Sequence, residues 1–115
     1  ALERLRPDIA EPHYNLANLL MQKRRPLDAI EHYRAAVRIE PRYEEAWNNL
    51  GVACAGLGRL DEAASAFRRA LALNPHHANA AANLAQTAAR FRGRGSEKQA
   101  VEIELFLLEL PKPPE

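Results

Sequence analysis

Three prolines, Pro7, Pro41 and Pro75, stand exactly 34 residues apart. A fixed period of that length limits the chain to architectures in which one small unit is stacked on copies of itself. Other positions keep the same step. Leu16, Leu50 and Leu84 do so, as do Asn15, Asn49 and Asn83. Leu5, Ile39 and Leu73 each precede a proline by two residues. Between the second and third prolines Ala63 answers Ala29, Phe67 answers Tyr33 and Ala70 answers Ala36.

Each unit reads as a pair of helices. In residues 44–77, Trp47, Leu50, Gly51 and Cys54 recur on one helical face. Gly56 and Gly58 then interrupt the pattern. Ala63, Phe67, Ala70 and Leu73 form a second face. Pro75 ends that helix, because it offers no N–H and restricts Asn74. Small residues at Gly51, Ala63 and Ala70 let the two helices approach, and Trp47 and Phe67 fill the remaining space. Trp47 is therefore expected to be the main core residue of the middle unit. No alternation typical of strands is present, and the expected fold is an all-α solenoid of stacked antiparallel helix pairs.

Residues 44–77 resemble the tetratricopeptide repeat, whose pattern is W-x2-L-G-x2-Y, then A-x3-F, then a closing P. The matching residues are Trp47, Leu50, Gly51, Ala63, Phe67, Ala70 and Pro75, with Cys54 in the usual place of Tyr. Residues 10–43 match more loosely through His13, Leu16, Ala17, Leu20, Ala29, Tyr33, Ala36 and Pro41. The organisation is then an end of a preceding repeat helix over 1–9, a first repeat over 10–43, a second over 44–77, a degenerate third over 78–110 and a proline-rich tail over 111–115. On this reading the chain begins inside an earlier unit. The third repeat opens regularly with Ala81, Leu84, Ala85 and Ala88 and loses register after Arg90. A three-residue shift places Glu104 where an aromatic belongs, and a two-residue shift does no better.

The last helix, about 97–110, has two apolar faces. Ala100, Ile103, Phe106, Leu107 and Leu110 share one, and Val101, Leu105 and Leu108 form another. A terminal helix ordinarily keeps its outer face polar. The second strip needs a further surface to cover it, a following helix, a second copy of the chain or another protein, and is accordingly a candidate assembly surface. Charge divides along the chain: residues 1–95 carry 14 basic and 10 acidic groups (14 − 10 = +4) and residues 96–115 carry 2 and 5 (2 − 5 = −3), which together make the overall +1.

That near-neutral balance argues against nucleic acid as a partner. The few aromatic residues fall mostly on core places and leave no stacking platform. No apolar run approaches the roughly 20 residues that span a bilayer, so no membrane partner is expected. One cysteine excludes an internal disulfide; it is compatible with a cytoplasmic setting without fixing one. The adjacent His76 and His77 lack further ligands at metal-binding spacing, so neither a metal nor another cofactor is expected. Gly51 and Gly56 have phosphate-loop spacing, but Leu57 stands where that loop needs Lys. No nucleophile and base are recognisably paired, and the chain is expected not to be an enzyme.

The resemblance implies a curved stack whose first helices line a concave face that holds protein or peptide. Asn15, Asn49 and Asn83 would form a row there, similar to the asparagine ladder of O-linked N-acetylglucosamine transferases; an amide both donates and accepts and so grips a peptide backbone. Asn18 and Gln86 extend this polar floor, Tyr14 and Asn48 occupy a neighbouring groove place, Asn79 stands at a helix entrance and Arg90 at the far end. The family's clamp for chaperone C-termini needs three cations and two amides. Asn18 and Asn49 match the amides, but Tyr14, Asn79 and Asn83 occupy the cation places, so no such clamp is expected. The resemblance also leaves open that these repeats belong to a larger glycosyltransferase.

Overall fold

The computed structural model describes residues 9–112. They form six helices: α1 (Ala10–Gln22), α2 (Pro26–Ile39), α3 (Glu44–Gly56), α4 (Leu60–Leu73), α5 (Ala78–Gly93) and α6 (Glu97–Leu108). No strand occurs among the described residues. Three residues separate the helices of each pair, which turns them antiparallel. The period expected from the prolines is thus a physical unit. The candidate preceding helix over 1–9 lies outside the described residues except for Ile9, and so do residues 113–115 of the tail.

The core runs through all three pairs. Tyr33 and Phe67 are its largest fully enclosed side chains, flanked by Ala17, Ala29, Ala63 and Ala70 at no exposure. Alanines on both facing helices bring the backbones close, and one aromatic per unit fills the gap. Trp47 differs from expectation. It is only partly buried, at the seam between the two core clusters. Its Nε1 donates to Pro41 O at 2.9 Å, and the Arg69 guanidinium lies 5.4 Å from its ring centre. An indole needs a partner for its N–H, and the inter-repeat turn supplies it at the edge of the core.

The third unit is offset by an insertion inside its first helix. The turn residues with positive φ are Arg24, Gly58 and Gly95, spaced by 34 and then by 37. The carbonyls of Leu20, Cys54 and Phe91 accept from the corresponding turn amides of Arg25, Arg59 and Ser96. α5 has 16 residues where α1 and α3 have 13. The three-residue shift is the one the molecule adopts. Glu104 does stand at the Tyr33 and Phe67 place, and it turns outward instead of packing. Arg92 grips it at 2.8 and 2.9 Å while also holding Glu97. That guanidinium keeps the Glu104 carboxyl below the usual carboxylate range. Phe91, brought in by the added turn, supplies the large core side chain.

Arg24 is the one non-glycine residue with positive φ among those described, at 60° where Gly58 and Gly95 have 77° and 79°. A Cβ in this conformation costs about 1–2 kcal/mol. Arg24→Gly is expected to stabilise the chain by up to about 1 kcal/mol after the entropic cost of glycine is deducted, read as a higher midpoint in urea unfolding.

Candidate functional site

The first helices touch one another directly, α1 against α3 and α3 against α5. The second helices are bridged instead by long side chains: Arg34 of α2 pairs with Glu62 of α4 at 2.6 Å, and Arg68 of α4 lies 5.1 Å from the Phe106 ring centre of α6. Close first helices and spaced second helices curve the stack, with α1, α3 and α5 on its inner face.

The sequence-derived groove residues divide into two groups. One group is tied into bonds between repeats. Asn49 Nδ2 donates to Asn18 Oδ1 at 3.0 Å and to the Tyr14 hydroxyl at 3.3 Å, and the Tyr33 hydroxyl donates to the same Asn18 oxygen. Burial pushes the Tyr33 phenol up to about 12, so it remains a donor at neutral pH. In the next junction Asn83 Nδ2 donates to Asn48 Oδ1 at 3.1 Å, and Asn48 is buried. These amides latch α1 to α3 and α3 to α5. A polar group so enclosed is costly unless bonded, which explains the pairing. The second group faces solvent: Asn15, Asn79, Gln86 and Arg90 are exposed.

Between α3 and α5 the groove deepens into a cleft of about 100 Å³. Asn83, Gln86 and Arg90 line it, as expected from sequence. Val52, Ala55, Phe67 and Thr87 line it too and were not anticipated. The 34-residue step contained the signal, because Val52 lies midway between Asn18 and Gln86. Arg90 Nη1 donates to Ala55 O at 2.7 Å, so this cation also closes the C-terminal end of α3. The cleft therefore offers an apolar wall, an open amide and one cation.

His13 occupies the place equivalent to Trp47. Its ring stacks on His32 with centroids 5.4 Å apart and the Nδ1 atoms 3.2 Å apart. Burial, then the nearby His32 and Arg38, lower the His13 pKa from 6.5. The unfolded chain then binds the proton more readily than the folded chain. Stability is expected to be full above about pH 6.5 and to fall as pH drops below it. Thermal unfolding between pH 7.5 and 5.5 reads this loss, which His13→Gln should reduce. Cys54 is buried, and burial followed by the Glu62 charge raises its thiol pKa.

Comparison with known proteins places this architecture among repeats. The tetratricopeptide-repeat family model matches residues 14–78 and 55–102. A UDP-N-acetylglucosamine–peptide N-acetylglucosaminyltransferase of Giardia intestinalis is 32 % identical over 80 residues, covering 70 % of this chain and 5 % of the relative. A peroxisomal targeting signal receptor of Kluyveromyces lactis is 36 % identical over 81 residues, covering 70 % of this chain and 14 % of the relative. The chain thus spans a small part of these relatives. The solved structure described as YrrB, a TPR protein with an unusual peptide-binding site, superposes with a TM-score of 0.71 at 27 % identity, over 83 % of this chain and 47 % of that one.

Proposed function

The chain belongs to the tetratricopeptide-repeat family, and from that premise we propose that it is a non-catalytic interaction module that binds an extended peptide along α1, α3 and α5. Repeats of this family generally mediate protein–protein interaction. The observation that carries the finer reading is the cleft between α3 and α5, where apolar Val52 and Phe67 lie beside Asn83, Gln86 and Arg90. An apolar peptide side chain enters against Val52, exposed amides bond the peptide backbone, and Arg90 favours a neighbouring carboxylate. Two or three such contacts carry most of the energy of a small interface. Cys54, enclosed and held toward its thiol form, is poorly placed to act as a nucleophile.

The test is selection of binding peptides from a displayed random library, followed by titration against Val52→Glu and Gln86→Ala variants. Val52→Glu is expected to weaken selected peptides at least 10-fold and Gln86→Ala about 3-fold, with helicity unchanged by circular dichroism. Peptides that bind both variants as tightly as the parent overturn this site. Asn49 and Asn83 are unsuitable first substitutions, because each also latches two repeats.

A further inference from the structure

The first repeat carries two metal-ligating side chains at places that are apolar in the other two. In the second repeat Trp47 stands at the place of His13 and Ala66 at that of His32; in the third the same places hold Ala81 and Ile103. Ala66 and Ile103 are buried in the core. Packing alone therefore does not call for imidazoles here. The two histidines are 19 residues apart in the chain, a separation that signals no metal site, and the turn between α1 and α2 brings them together. Their Nδ1 atoms are 3.2 Å apart while the ring centres are 5.4 Å apart, so the two nitrogens lie on the facing edges of the rings. Both side chains are partly exposed and reachable from solvent.

We propose that His13 and His32 form a bidentate site for a divalent transition-metal ion of the imidazole-seeking class, Zn²⁺ or Cu²⁺. Two nitrogens that each lie about 2.0–2.1 Å from a tetrahedral ion stand about 3.3–3.4 Å from each other. The observed separation is a small ring tilt away from that value. The tilt turns both lone pairs to one side, where the ion sits. In the metal-free chain one Nδ1–H donates to the other Nδ1. On binding, the donor ring transfers this proton to its own Nε2 through water, so each Nδ1 presents a lone pair and no net proton is lost. The burial that lowers the His13 pKa keeps this ring neutral, the form that ligates. No third His, Cys, Asp or Glu joins the pair among the described residues, so water completes the coordination. Arg38 acts against a cation at His13, but its side chain is exposed and solvent screens it. The core of the first pair, with Ala17, Ala29 and Tyr33 enclosed, fixes both ligands before the ion arrives. An ion held there clips α1 to α2 and stabilises the folded chain by mass action.

The probe is Zn²⁺ alone, titrated into the full chain at about pH 7.5, where an ordinary imidazole is neutral. Calorimetry gives affinity and stoichiometry, and long-range proton–nitrogen spectra of the imidazoles show which ring nitrogen is bound. One ion per chain, coordination through Nδ1 of both rings, and binding at least 10-fold weaker in His13→Gln and in His32→Gln support the proposal. The unfolding midpoint then rises with Zn²⁺ in the parent and not in these variants. His76→Gln is expected to leave the affinity unchanged, since the neighbouring His77 Nδ1 is already used in accepting from the Ala80 N–H. The spectra of the parent stand without any variant, and circular dichroism checks that the variants fold. Absence of binding at millimolar Zn²⁺, coordination through Nε2, equal affinity in the parent and both variants, a loss in His76→Gln instead, or one ion shared between two chains would each overturn it.

Discussion

Phe67→Ala is expected to destabilise the chain by about 3–5 kcal/mol. The ring is 1 % exposed and lies between α3 and α4, where Ala63 and Ala70 beside it are already minimal and cannot move in to fill the void. A domain of this size has only about 5–15 kcal/mol in hand, so the variant is expected to be largely unfolded near 37 °C. Urea denaturation followed by circular dichroism measures the loss, and a change under 1 kcal/mol would mean that Phe67 is not the anchor. Trp47→Ala should cost less, near 2 kcal/mol, since the indole is only partly buried and one edge faces Arg69.

Gly51→Ala is the second large effect, expected to cost about 1–3 kcal/mol. A Cβ at Gly51 would meet Phe67 ring carbons at 2.4, 2.6 and 2.8 Å. The ring is 1 % exposed, so relief comes only by parting α3 from α4 or by tipping the ring out of its packing toward the cleft it lines. The first repeat holds Ala17 at the place of Gly51 and Tyr33 at that of Phe67, both buried, so a Cβ is accommodated there when the rest of the unit is built for it. Combining Gly51→Ala with Phe67→Leu should recover part of the loss in the same denaturation measurement. Equal destabilisation by the single and double variants would refute steric conflict as the cause.

Much of the fold was legible because a repeat announces itself. Helix pairs and the alanine–aromatic core follow from period and spacing, since every unit must solve the same packing problem. The strip Val101, Leu105 and Leu108 was visible as well, because helical periodicity alone separates it from the core face. The groove was only partly legible. Spacing puts Asn15, Asn49 and Asn83 in one row, but it cannot tell an amide that meets solvent from one spent on a neighbour. Asn49 and Asn83 each bond to the preceding repeat, whereas Asn15 is exposed.

What the sequence determined by itself was the unit, its helices and the faces they bury, since these depend on local periodicity and residue size. The tertiary structure alone decided the rest. It placed the extra turn inside α5, turned Glu104 out to Arg92, moved Trp47 to the edge of the core and brought Val52 beside Gln86. Those outcomes depend on distances between units, which a pattern along one chain does not contain.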